Sequence, residues 1–441
     1  MPARIKAHKL LALSAFALSA TLFHATTLRA ATTAADTAAA VSTSADTAAP
    51  AADATAVAEP QTAAPAAAPA PAAPAAPPTW SVGPIDFSGL VDGYYSFNAN
   101  HPNPNTNQLR NFDYDANSFS LNMIKLSLSH TADPVGFRVD LGFGKAFSIF
   151  NGLQGTPTVC LYACPAPTGD SINDTHLEQA YVSWVPAKGK GFEADFGQFV
   201  TSAGAEVIET MNNWNYSRSI LFAYMIPYYH MGLRTSYPIT KKETIGFQVV
   251  NGWNNITDNN AGKTIGLTSL YTAPKYNWAV NYYVGPENTG TDKGYRNLID
   301  TTLNLTPTAK SLAKWTAYLN YDYVQNRNAT TTNSINYTKS SLYHQQGIAV
   351  AAHYQATGTI AFAGRYEYIA DESGQITGHT KAGLDEFTLT GEYKMAAGLL
   401  GRLEYRRDST DNNFFVKGTS KLVKAQSTLE LGIVAFFGPK R

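Results

Sequence analysis

From residue 85 to residue 437 the chain repeats one pattern: apolar and polar residues alternate at a period of two, segment after segment. In IDFSGLVDGYYSFN, Ile85, Phe87, Val91, Tyr95 and Phe97 fall on one face, while Asp86, Ser88, Asp92, Ser96 and Asn98 fall on the other. That is the period of a strand with one apolar and one polar side. The same opposition sets Phe137, Val139, Leu141 and Phe143 against Arg138 and Asp140, and Met231, Leu233 and Tyr237 against Arg234 and Ser236. Further on, Phe362, Tyr366 and Tyr368 oppose Arg365 and Glu367, and Leu399, Leu403 and Tyr405 oppose Arg402, Glu404 and Arg406. Leu429, Leu431, Ile433 and Phe437 complete the last apolar face.

A soluble sandwich also alternates, so three further features decide between the two. The apolar faces begin or end in aromatics such as Phe87, Tyr95, Trp278, Trp315, Tyr405 and Phe437, which suits girdles at two membrane interfaces. The polar faces carry charges of both signs, which a packed core would bury at several kcal/mol each unless paired, and which a water-filled lumen accepts. Connections alternate in length, with short ones at 131–136, 186–191, 240–243, 273–277 and 395–398 and long Asn/Gly/Thr-rich ones between them. The expectation is an all-β transmembrane antiparallel barrel of about 16 strands, with short periplasmic turns and long extracellular loops. A barrel of that size encloses an aqueous channel. In the second strand Phe119 and Leu121 share one phase and Leu126 and Leu128 the other, which predicts a bulge near Met123 and Ile124.

The barrel pattern occupies only residues 80–441. Before it, Arg4, Lys6 and Lys9 precede an apolar run at 10–23 and small residues at 25–35, the order of a secretory signal peptide over about residues 1–30. Residues 31–79 are mostly Ala, Pro and Thr with no aromatic, and read as a disordered periplasmic linker. Losing Arg4, Lys6, Lys9 and Arg29 with the leader takes 33 basic residues to 29, against 33 acidic ones. A mildly acidic mature chain argues against nucleic acid as a partner. Cys160 and Cys164 are the two cysteines, and in an exported chain a small loop-closing disulfide is expected.

One segment refuses to alternate. Residues 211–232, MNNWNYSRSILFAYMIPYYHMG, gather Trp214, Tyr216, Phe222, Tyr224, Tyr228 and Tyr229 around Arg218 and lie at the third long connection. A segment so aromatic can fold into the bore and set its width, or pack on the extracellular rim. On the inward reading, Glu206 and Glu209 oppose Arg218. Arg138, Asp140 and Arg234 then join Trp214, Tyr216, Tyr224, Tyr228 and Tyr229 as constriction residues, since rings of opposed charge orient water and tune ion preference. Arg365, Arg402 and Arg406 read as further lumenal positive charge. His176, His230, His344, His353 and His379 stand beside no nucleophile motif, and 142–147, GFGKAF, reads as a strand end without the helix a phosphate loop opens. No enzyme, cofactor or metal is expected. Asp113, Asp115 and Asn117 read as a solvated loop rather than a calcium site, lacking its glycine and distal glutamate.

Several stretches resemble the OmpL-like beta-barrel porin family of Gram-negative outer membranes: GLVDGYYSFNANHP, FDYDANSFSLNMIKL, PVGFRVDLGFG, LEQAYVSW and NNWNYSRSILFAYMIPYYHMGLR. The resemblance covers residues 86–437, is most specific in the first half, and departs in its end, where Phe437 is followed by Gly438-Pro439-Lys440-Arg441. It implies an outer-membrane porin, embedded in lipid, passing small hydrophilic solutes by passive diffusion. A homotrimer is expected by analogy with general porins. Two rivals remain open from the residues: a sugar-selective channel with an aromatic track, and a plugged adhesive or structural barrel with interacting loops.

Overall fold

The computed structural model describes residues 80–152, 176–328, 341–378 and 381–438. The leader, the linker and Cys160 and Cys164 lie outside the described residues. The barrel strands are β1 (Ile85–Asn98), β2 (Ser118–His130), β3 (Val135–Phe143), β4 (Leu177–Trp184), β5 (Glu193–Val200), β6 (Tyr229–Pro238), β7 (Glu243–Val250) and β8 (Thr264–Ala273). They continue with β9 (Tyr276–Pro286), β10 (Tyr295–Leu305), β11 (Trp315–Asn328), β12 (Ser341–Gln355), β13 (Ile360–Asp371), β14 (Ala382–Ala396), β15 (Leu399–Thr410) and β16 (Ala425–Phe437). Each pairs antiparallel with its neighbour in sequence, and β16 returns to β1 with Gly432 opposite Tyr94 and Val434 opposite Asp92. Sixteen strands therefore close on themselves, and closure leaves no strand edge unpaired in lipid. A short strand, Ser81–Val82, adds to the start of β1, and a hairpin of Phe415–Lys417 and Lys421–Val423 decorates the last long loop.

Alternation sorts the side chains as a membrane demands. Phe119 is 84% exposed and Phe196 64%, and Val182, Leu403 and Leu431 also face outward. Asp92, Lys125, Asp140, Asp300, Glu404 and Glu430 face inward and are buried. The bulge in β2 falls at Asn122, where the register passes from Asp92–Met123 to Gly93–Leu121. That one extra residue lets Phe119 and Leu121 before it, and Ile124 and Leu126 after it, all face lipid.

The long connections run back into the barrel. The connection after β3 opens a helix, α1 (Lys145–Gly152), which corrects the strand-end reading of 142–147. Ala146, Phe147, Ile149 and Phe150 are all buried at helical spacing. The loop after β1 also turns inward, burying Leu109, Arg110 and Phe112. With residues 201–228 these segments form one apolar cluster inside the wall.

Candidate functional site: a segment docked across the lumen

Residues 201–228 join β5 to β6 and fold inward. They contain a 3-10 turn, Thr210–Asn212, and a short helix, α2 (Ile220–Tyr224). Ser219 caps α2, its hydroxyl accepting from the Phe222 N–H at 3.0 Å. The next two N–H groups belong to the wall: Glu367 on β13 accepts from Ile220 at 2.8 Å and Leu221 at 3.0 Å. Local sequence thus starts the helix, and a carboxylate from a distant strand fixes where it sits.

Wall arginines and carboxylates hold the rest of the segment by its backbone. Arg402 donates to the carbonyls of Thr210 (2.5 Å), Asn215 (3.2 Å) and Asn213. Arg406 donates to the Ser217 hydroxyl at 3.1 Å and to the Arg218 carbonyl. Arg365 donates to the Ser217 carbonyl at 2.8 Å and pairs with Glu206 at 2.5 Å. Glu404 accepts from the N–H groups of Tyr216 (2.6 Å) and Ser217 (3.1 Å). On β1, Asp92 accepts from the Tyr216 hydroxyl at 2.7 Å and the Thr210 hydroxyl at 2.6 Å. Such charge-assisted bonds are among the stronger single contacts a protein makes.

Two expectations about charge are corrected here. Arg365, Arg402 and Arg406 do not offer a free positive field to the lumen, because their donors are spent on the segment and on the wall carboxylates Glu386, Glu392 and Asp408. Arg218 does not face Glu206 and Glu209. It is buried, donating to the carbonyls of Val207 (3.1 Å), Ile208 and Tyr216 and to the Thr210 hydroxyl (3.0 Å), with its guanidinium over the Phe112 ring. It ties the segment to itself.

The remaining sequence-derived residues divide among three places. Arg138 and Asp140 bond side by side at 3.0 Å, and Lys125 joins them to Glu209, lying 3.1 Å from Asp140 and 3.0 Å from Glu178. Asp140, Glu178 and Glu209 could together hold a metal by spacing, but the Lys125 ammonium fills their centre. Lys125 and Glu178 escaped sequence reasoning; the phase slip in β2 is the one signal that turns Lys125 inward. Arg234 stands elsewhere, on Asp195 at 2.7 Å and over the Tyr181 and Phe199 rings.

The aromatic residues form packing, not an open track. Trp214 stacks between Tyr318 and His353. Tyr216 packs on Tyr94. Tyr228 stacks on Phe222 and Phe150, and Tyr229 lies against Phe150 with its hydroxyl donating to the Asn254 carbonyl at 2.8 Å. Tyr224 alone of the five is only half-buried. His230 is buried against Tyr283. The first-loop Asp113 is likewise not solvated: it is buried and pairs with Arg110, which also reaches Asp408 at 3.4 Å and the Thr428 hydroxyl at 2.6 Å.

A closed barrel of sixteen strands, apolar outside, charged inside and crossed by an in-folded loop, defines an outer-membrane β-barrel of the porin type. The chain belongs to the family described as "Putative beta-barrel porin-2, OmpL-like", which matches residues 84–437. It is an outer-membrane porin channel. Among solved structures it shares its fold with the outer membrane channel DcaP of Acinetobacter baumannii, at 8% identity over 80% of this chain and 97% of that one, TM-score 0.51. OmpT of Vibrio cholerae matches at 14% identity over 82% of this chain and 100% of that one, TM-score 0.48. An anion-selective porin from Comamonas acidovorans matches at 10% identity over 80% and 99%, TM-score 0.49. No curated protein sequence matches the chain.

Proposed function

We propose that permeation through this porin is limited by residues 201–228, which act as its constriction and admit only small solutes. One observation carries the reading: Arg365, Arg402 and Arg406, from β13 and β15, all donate to backbone atoms of a segment rooted between β5 and β6. A loop held so from the far wall narrows the bore at a fixed height instead of waving at the rim. Planar-bilayer recording tests it. Replacing residues 205–226 by a short Gly-Ser link raises single-channel conductance severalfold if the segment constricts; an unchanged conductance sinks the proposal.

On this reading the protein acts as a passive channel and uses no cofactor. The packed state of Trp214, Tyr216, Tyr228 and Tyr229 favours a steric constriction over a sugar-stacking track. Residues 1–30 are proposed as an export signal, 31–79 as a periplasmic linker and 80–441 as the membrane domain. A homotrimer is the proposed assembly, by analogy with general porins alone; light scattering of the detergent-solubilised protein separates one copy from three.

A further inference from the structure

Above the docked segment, on the side of the long loops, lies an open-mouthed pocket of about 440 Å³, mouth included. Tyr224, Trp253, Arg296, Val324, His344 and Ile376 are among the residues lining it. Two of its polar groups are unused. Arg296, on β10, is 5% exposed, yet its Nε has no hydrogen-bond partner and it makes no ion pair with any acid among the described residues. The buried hydroxyl of Tyr224, on α2, has no partner either.

A buried guanidinium with no carboxylate in contact is costly, and the nearby acid, Glu287, acts on it only through space. Glu287 accepts from the Trp253 N–H at 2.9 Å and from the Thr264 hydroxyl at 2.6 Å and makes no contact ion pair with Arg296. The Arg296 guanidinium lies over the Trp253 ring, 4.6 Å from its centroid, which fixes its plane. Burial pushes the Tyr224 phenol well up from its ordinary value, so it keeps its proton and can donate. Two donors therefore converge on one cavity whose other walls include Val324 and Ile376.

We propose that this pocket binds a small organic carboxylate, its oxygens taking the Arg296 guanidinium and the Tyr224 hydroxyl and its hydrocarbon body lying against Val324, Ile376 and Trp253. A planar fork suits a carboxylate's two oxygens, and Val324, Ile376 and Trp253 give its body an apolar patch on a wall that Asn326, His344, Gln345 and Gln375 otherwise make polar. The inference deepens the porin reading by giving the mouth a preferred solute class. It is tested by equilibrium binding, so it stands or falls apart from conductance.

The detergent-solubilised, full-length protein is titrated with benzoate, with the neutral isostere benzamide, and with inorganic phosphate, reading heat and tryptophan fluorescence. Saturable benzoate binding is expected, at least tenfold tighter than benzamide and tighter than phosphate. Arg296→Gln is expected to weaken benzoate about 10–100-fold, the usual weight of a charge-assisted contact, and Tyr224→Phe several-fold, with benzamide unmoved by either. Equal affinities for benzoate and benzamide overturn the proposal, as does benzoate binding indifferent to both substitutions. Tighter phosphate than benzoate also overturns it, in favour of an inorganic-anion site. Should Arg296→Gln fail to fold, as judged by loss of the heat-dependent gel shift, Tyr224→Phe and the benzamide comparison still decide.

Discussion

Gly432 on β16 exists to receive Tyr216. A Cβ placed on Gly432 would lie 2.1 Å from Cδ2 of the Tyr216 ring, far inside any tolerable contact. The wall has other such sockets: a Cβ on Gly142 of β3 would meet the Phe147 ring of α1 at 1.9 Å, and one on Gly347 of β12 would meet Leu221 of α2 at 2.8 Å. The inward segments and the barrel are therefore fitted to one another at three separated strands.

Gly432→Ala is expected to expel the Tyr216 ring, breaking its bond to Asp92. Overpacking of this kind costs about 1–3 kcal/mol. The heat-modifiability midpoint should fall, and channel current should become noisier. In a Tyr216→Gly background Gly432→Ala should cost little further; an undiminished cost would show that the clash is not with this ring.

Arg402→Gln removes donors from the carbonyls of Thr210, Asn213 and Asn215 and leaves Glu392, 2.7 Å away, without its cation. Breaking a buried pair from one side costs about 3–5 kcal/mol. The barrel's many strand pairings should survive while the segment loosens, so conductance rises in an intact barrel. A lower or equal conductance would count against the docking role.

Arg218→Ala acts differently, because every hydrogen bond its side chain makes is to the segment itself. Loss of the fold of 207–218 is expected, with larger current fluctuations and a small change in reversal potential. A large shift in ion selectivity with quiet current would mean that the guanidinium is a free lumenal charge after all.

Acid should release the segment at its Lys125 end only well below neutrality. Burial pushes the Glu209 carboxyl up, but Lys125 beside it, with its hydrogen bond, outweighs burial and holds the group below the usual carboxylate range. A lowered value means that the anchor is fully present above the ordinary glutamate pKa of about 4.3 and is lost as pH falls through the lowered one. Current through the wild type should be steady from pH 7 to about 5, and should change only in stronger acid. In Lys125→Met, which also strips Glu178 of its cation and leaves Asp140 with Arg138 alone, the change should appear nearer neutral pH.

The strands were legible because lipid and lumen impose opposite demands on successive side chains, and β1, β3 and β15 write that demand plainly. The inward course of 201–228 was legible for the converse reason: Trp214, Tyr216 and Phe222 keep no period of two and need somewhere to be buried. What could not be read was who holds whom. A sequence displays Arg402 and Arg406 as charges, whereas their acceptors on the segment are chiefly backbone carbonyls, which every residue has. For the same reason Arg218 looked like a lumenal cation. The inward turn of the first loop was missed because Asn and Pro dominate it; Leu109, Phe112 and Tyr114 among them were the available signal.

Tyr216 touches the barrel where its ends meet. Its hydroxyl holds Asp92 of β1 and its ring fills the socket at Gly432 of β16, and those two strands form the closing seam. Neither half of that cradle is complete until the first and last strands have zipped together, long after the segment itself has been made. The seat of Tyr216 is consequently complete only when the cylinder is whole. That contact works as a latch on the seam, since parting β1 from β16 also pulls Asp92 and Gly432 away from either side of Tyr216.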